Sequence, residues 1–388
     1  MLKNSFPFLI ILFLFSCTHN TISVENEHKG NLVATHELKI QENNDKMFYL
    51  DSETAPYPPY VQLIKDSLNQ QILSFLNPYN TSIYFYNYND TSFIKRIKYE
   101  KEGANAILKP AGFYIHNMDS IYVYNMPMTE IVLCDSFGIV KNRISLRSSD
   151  PNWPLYMPQY LLSTTNPIME SDNNLILTGQ SFFSIPEENI SKFRFSVSIN
   201  METNTTSFHH TYPDELYGIN SNWEGGLPTQ VFSAKLNDSM VVYSFPVSHN
   251  LYISNYNSSD YQTAYGGSNQ ATTIKSIDRE AKNTPDEIVV SHYLQQDMYG
   301  PIIYDRFRNL YYRFLFKGVP NASFSTPKEE KPIIIIIMDK NLEYLGETFI
   351  GNGKEWNWNN SFVSEEGLNI EYIEAHPTFR VILQSCKA

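Results

Sequence analysis

Four tryptophans stand among charged and amide residues: Trp153 in "SSDPNWPLYMP", Trp223 in "SNWEGGLP", and Trp356 with Trp358 in "GNGKEWNWNNS". An indole offers a flat apolar face and one N–H donor. Beside Asn, Glu or Lys, that combination suits stacking on a sugar ring or capture of a peptide aromatic. Asp150, Glu224, Lys354 and Glu355 add charge to the same stretches, and His292 and Tyr293 precede a later apolar segment. The competing reading is structural, with each indole filling a gap between packed sheets. Other chemistry finds little support in local sequence. His209 and His210 are adjacent, so a strand would point them to opposite faces, and no His, Asp or Glu spacing matches a metal motif. Nucleophile elbow, Gly-rich phosphate loop and HExxH helix are all missing, and "YGGSNQ" has too few glycines for a nucleotide loop.

The first residues carry an address. "MLKNSFPFLIILFLFSC" has one positive charge at Lys3 and an apolar run from Phe6 to Phe15 that is too short to span a bilayer. Leu14, Ser16 and Cys17 resemble the lipobox cut by the lipoprotein signal peptidase, although Phe15 is bulkier than that pattern usually has. On this reading residues 1–16 are a signal peptide, and acylated Cys17 anchors the chain to a bacterial envelope membrane, as an outer-membrane lipoprotein, without spanning it. Residues 17–31 then form a lipidated flexible tether, and 32–388 a single domain. "PIIIIIM" at 332–338, the most apolar later stretch, suits a buried strand rather than a membrane span.

Net charge is −12 over 388 residues, and cleavage before Cys17 removes only Lys3 among charged groups. That balance argues against a nucleic-acid partner, whose phosphates demand a basic patch. Cys134 and Cys386 remain after lipidation; without CxxC spacing they form no metal site, and they read as buried free thiols, with a disulfide in an oxidising envelope as the alternative.

The elements that must position these groups are strands. Six times a short apolar run meets a polar turn and a second run follows: "FLNPYNTSIYFYN", "FYIHNMDSIYVYN", "PIMESDNNLILTG", "FSAKLNDSMVVYS", "IIYDRFRNLYYRF" and "SFVSEEGLNIEYI". The first apolar residues after the turns are Ile83, Ile121, Leu175, Met240, Leu310 and Leu368, spaced too irregularly for a strict repeat. Further strand-like sequence follows each phrase, so each repeat makes a four-stranded sheet with two apolar faces that needs neighbours on both sides. The expected fold is all-β, a six-bladed β-propeller in which the phrases are inner hairpins and a strand near 32–40 completes the last blade. Short helical insertions are expected at "NTPDEIVVSHYLQQDM", where Thr284, Pro285 and Glu287 resemble a capping box and about four turns should follow, and at "IPEENISKF". The loops entering the inner strands share one face, which would gather the four tryptophans there.

The lipobox, the hairpins, "YDRFRNLYYRF" and "MDKNLEYLGET" together resemble the envelope lipoproteins grouped as domain-of-unknown-function family 4221, related to six-bladed propellers. The resemblance implies fold and address and brings no catalytic residues. Two functions follow from the residues. One is a non-catalytic binding or scaffold propeller, without a cofactor, for an envelope protein partner or glycan. The other is a lactonase- or lyase-like enzyme acting on a sugar-derived substrate through a divalent cation in the channel, whose ligands come from separate blades. Asp305 with Arg306, Arg308 or Arg313 reads as a structural ion pair. "DSL", "DSI" and "DSM" at 66–68, 119–121 and 238–240 read as turns, and also resemble a bacterial O-glycosylation site.

Overall fold

The repeated phrases fold as antiparallel meanders. A computed structural model describes residues 21–387 apart from 42–44, 55–57, 182–184, 186, 218–222, 224–225, 278–283 and 374–379. Five four-stranded blades follow in chain order. Blade one is Val61–Lys65, Gln71–Asn77, Ser82–Asn87 and Phe93–Lys98. Blade two is Pro110–Asn117, Ser120–Asn125, Glu130–Cys134 and Val140–Ser145. Met169–Ser171, Asn174–Thr178, Ser196–Asn200 and Thr206–His209 form blade three. Blade four comprises Phe232–Lys235, Met240–Ser244, Asn250–Asn255 and Gln262–Tyr265. Blade five comprises Met298–Asp305, Leu310–Phe316, Pro332–Asp339 and Tyr344–Asn352.

The sequence predicts six blades with loops of unequal length, and the count is corrected to five. The sixth phrase belongs to a composite closing sheet. Trp356–Ser364, Gly367–Tyr372 and Arg380–Lys387 supply three strands, and two N-terminal strands, Lys39–Ile40 and Lys46–Tyr49, both pair with Arg380–Lys387. The ring is therefore joined by the start of the chain. First strands of the sheets carry most contacts between neighbours, and that of the closing sheet meets Val61–Lys65 of blade one. Middle strands are enclosed on both faces, which explains their unbroken apolar runs: Ile333–Met338, within "PIIIIIM", is buried throughout. Edge strands such as Phe93–Lys98 are largely exposed. Among the described residues no helix is long and apolar enough to cross a membrane.

Three local expectations change. "FLNPYNTSIYFYN" is the middle hairpin of blade one; its inner hairpin turns at "KDSLNQ", so Ile72, not Ile83, matches Ile121. The two hairpins of a blade share one grammar, apolar strand around an Asn- or Asp-rich turn, so local sequence does not tell them apart. The longer helix is Asp286–Gln295, under three turns. Pro285 sits at its cap without a side-chain bond, so the capping box does not form. Its other end is capped, because Lys331 Nζ donates to the carbonyls of Tyr293, Leu294 and Gln296. "IPEENISKF" yields one turn, Glu187–Ile190.

Nor are residues 21–31 a free tether. Ser23–Val24 pairs with Ile274–Lys275, Ile22 N–H donates to Ser276 Oγ, and Asn26 Nδ2 donates to the carbonyls of Ser268 and Ala271. Backbone groups satisfied in this way hold the segment to the loop between blades four and five. Cys134 is a buried free thiol, its pKa pushed up to about 12 by burial. The Cys17 and Cys386 side chains lie outside the described residues.

Candidate functional site

In each meander the chain enters the inner strand from one side of the ring and turns back on the other. The turn side holds a polar mouth. Tyr114 and His116 come from the inner strand of blade two, Glu170 and Ser171 from that of blade three, and Lys235 from that of blade four. Asp172, Asn173 and Asp238 come from the turns that follow. Asp172 and Asn173 both have left-handed backbone, φ 45° and 61°, which makes a two-residue hairpin that short Asx side chains tolerate. Ser171 Oγ donates to the carbonyl of Asp238, tying the two turns together.

A cavity of about 440 Å³ lies here, lined by Tyr114, Glu170, Ser171, Asp172, Asn173, Lys235 and Asp238. Tyr114 Oη donates to Glu170 Oε2 at 2.8 Å, and His116 Nδ1 lies 2.7 Å from the same oxygen. Burial, then the Glu170 carboxylate, raises the Tyr114 phenol well above its usual pKa, so it stays a donor. Lys235 Nζ pairs with Asp238 at 2.8 Å and holds that carboxyl below its ordinary value. Three carboxylates, one lysine and one histidine give the mouth a negative balance. It offers acceptors for hydroxyl or ammonium groups and one cationic donor. Among the described residues no group of three or more His, Cys, Asp or Glu side chains is set to hold a metal ion.

The entry side is filled. The loop between blades two and three reaches across blade one to the closing sheet: Thr164 Oγ1 accepts from Val61 N–H and donates to Asn360 Oδ1, and Thr165 Oγ1 donates to Asn359 Oδ1. A bulge between Asn357 and Phe362 frees the two asparagines from the ladder. Asn357 Nδ2 and Asn360 Nδ2 each donate to Glu371 Oε2 at 2.6 Å, while burial pushes the Glu371 carboxyl up to about 7.

The expected tryptophan face does not form. Trp153 is buried with its ring 6.3 Å from Phe208. Trp223 and Trp356 are buried too, each N–H donating to a backbone carbonyl, of Leu216 at 2.7 Å and of Ile350 at 2.6 Å. Trp358 is half-buried between Phe316 and Phe232. These rings are wedges, as the competing reading had it. Glu224 lies outside the described residues. His292 Nε2 contacts the Lys275 carbonyl at 2.7 Å on the helix, its neighbour Tyr293 is buried, and Lys354 pairs with Glu330. His209 bonds Ser198, whereas His210 is fully buried in left-handed backbone between Ser196, Tyr243 and Ser254, its pKa driven down to about 4 by burial. Asp305 pairs with Arg308 at 2.9 Å, as a structural contact.

Sequence reasoning missed the mouth. Its signal was the "DSL", "DSI" and "DSM" triplets, all of which sit in inner-hairpin turns and so mark the turn side of blades one, two and four.

A family model described as "Domain of unknown function (DUF4221)" matches residues 37–349. A solved DUF4221 member from Bacteroides vulgatus superposes with a TM-score of 0.73 at 17% identity, covering 90% of this chain and 98% of that one. An exported-protein candidate from Bacteroides fragilis gives a TM-score of 0.54 at 11% identity, covering 90% of this chain and 95% of that one. No curated protein matches. With four-fifths of its length under that model and a β-propeller arrangement shared with the solved member, the chain belongs to the DUF4221 family.

Proposed function

We propose that this chain is a non-catalytic binding propeller, held by acylated Cys17 to the bacterial outer membrane, whose turn-side mouth receives a glycan. The observation that carries the reading is the polar cavity of about 440 Å³ shared by three blades. Its volume falls within the range of small-ligand pockets, and its carboxylates, amide, phenol and lysine match the donors and acceptors of sugar hydroxyls. With the tryptophans packed away, hydrogen bonding rather than ring stacking carries recognition. A loop of an envelope protein bearing a lysine is the other occupant this chemistry admits.

The test is thermal unfolding of the mature chain with a panel of envelope and dietary glycans, repeated with Glu170→Gln. At a hundredfold over its dissociation constant a ligand adds about 2.7 kcal/mol, visible as a raised midpoint. A shift seen in the parent and lost in Glu170→Gln supports the mouth. No shift with any glycan, or a shift untouched by Glu170→Gln, overturns it.

A further inference from the structure

Exposed apolar side chains are distributed unevenly between the two sides of the ring. On the entry side every blade contributes: Tyr79 and Leu108 beside blade one, Leu155 after blade two, Leu227 after blade three, Ile288 after blade four and Phe324 within blade five. Each is between 46% and 70% exposed. In the turn-side loops of the five blades the exposed large apolar residues are Leu68, Phe137 and Ile139, from blades one and two, and Phe93 and Ile94 open the outer strand of blade one at the same end. Scattered apolar residues are ordinary on a protein surface and do not by themselves call for a partner, but on the entry side they recur in loops of all five blades.

The start of the chain identifies a partner. Ser276 N–H donates to the Ile22 carbonyl, so the N-terminal segment docks on the same entry-side insertion that carries the helix with Ile288. From Cys17 to Ile22 the chain spans at most about 18 Å even fully extended. An acyl anchor on Cys17 therefore leaves the entry side within reach of the lipid, and no long tether allows the ring to stand off or invert.

From these two observations we infer that the propeller lies with its entry-side face on the lipid surface in which Cys17 is anchored. Apolar residues on that face meet the headgroup boundary, and the mouth around Glu170 opens away from the membrane. The inference rests on the lipoprotein reading above. Several loop residues add modest apolar contact to an anchor that already supplies most of the affinity, so their effect is on orientation more than on binding.

The experiment is hydrogen exchange of the full protein extracted from its own membranes, returned to vesicles of phosphatidylethanolamine and phosphatidylglycerol, and compared with the same protein in detergent. Mass spectrometry of the N-terminal peptide reports the acyl chains on Cys17 independently. The expected result is an acylated Cys17 with exchange in 99–109, 226–231 and 286–295 slowed about fivefold or more, and 66–70, 135–139 and 236–239 within about twofold. A double variant, Leu227→Asp with Ile288→Asp, should keep the acyl chains and lose that protection. Acylation with equal protection of both sides, or with the turn side protected, overturns the orientation and leaves the anchor standing. An unmodified Cys17 overturns the anchor and the orientation together.

Discussion

Arg313 is a fully buried charge, and its replacement tests whether blades four and five are held by hydrogen bonds or by apolar packing alone. It sits in the second strand of blade five, fully buried, with its guanidinium carbon 3.9 Å from the centre of the Tyr299 ring. Nε donates to Ser244 Oγ at 2.9 Å. Nη1 donates to the carbonyls of His249 and Gly266 at 3.0 Å each, and Nη2 to those of Ser248 at 2.9 Å and Phe245 at 3.4 Å. Burial lowers its pKa to about 10, which still leaves it charged at neutral pH. Replacing a buried ion pair with apolar residues is often harmless because both partners go together. Here the acceptors are mostly backbone carbonyls that no substitution removes. Arg313→Met thus relieves one desolvation penalty and takes their donor from the Ser248 and Gly266 carbonyls, at about 1–3 kcal/mol each when unpaired, whereas Ser244 Oγ still donates to the Gly300 carbonyl and the His249 carbonyl still accepts from Gly266 N–H. With about 2 kcal/mol for each of these two acceptors and some gain from removing the charge, the net loss is about 2–3 kcal/mol. Arg313→Lys keeps the charge but reaches fewer acceptors and loses the planar stack, for about half that cost. Urea unfolding followed by tryptophan fluorescence gives the number, provided the slope with denaturant is unchanged. A loss under about 1 kcal/mol for Arg313→Met would mean that apolar packing alone holds the two blades.

Burial raises the Glu371 carboxyl above its unfolded value, so the folded state binds more protons between pH about 4.5 and 7 and stability attributable to this group falls as pH rises through that window. Glu371→Gln, compared with the parent from pH 4 to 8, should be increasingly the more stable protein towards pH 8, by about 3 kcal/mol at most, as read from urea midpoints. A pH-independent difference would contradict it. His210 behaves in the opposite sense: its folded pKa lies below that of the unfolded chain, so the stability it contributes is present above about pH 6.5 and lost as pH falls towards 4. His210→Gln, scanned by acid titration of the circular dichroism signal, should weaken that acid dependence. Trp356→Ala should cost about 3–5 kcal/mol, since it empties a packed site and strands the Ile350 carbonyl, while leaving ligand affinity within about twofold; calorimetric titration checks the second part.

Much of the architecture was legible because enclosure on both faces writes itself into a strand. Ile333–Met338 reads as buried in any setting, and the Asn- and Asp-rich turns around Asp119, Asn173 and Asp238 mark where meanders reverse. The inner hairpin of blade one is hard to read because its first strand, "VQLIK", is short and mixed, whereas the next two, "QILSFLN" and "SIYFYN", are richer in large apolar residues and almost wholly buried. The closing sheet was legible in outline: a strand within 32–40 does join it, while Lys46–Tyr49 went unseen. The tryptophan face failed for a physical reason. An indole in a polar stretch looks exposed, yet one N–H satisfied by a nearby carbonyl, Leu216 for Trp223 and Ile350 for Trp356, lets the whole ring be buried. The mouth could not be read from local sequence. Its groups at 114–116, 170–173 and 235–238 meet only once the ring positions three inner strands side by side, and each group alone is an ordinary strand end or turn.

Ligand is expected to enter at the turn-side mouth. A crystal structure of the mature chain soaked with whichever envelope glycan raises its unfolding midpoint tests that claim most directly. The predicted result is density for the sugar against Glu170, Asp172 and Lys235, with Trp356 and Trp358 unmoved. Density on the entry side, around Leu227 or the Trp356–Trp358 strand, would contradict it.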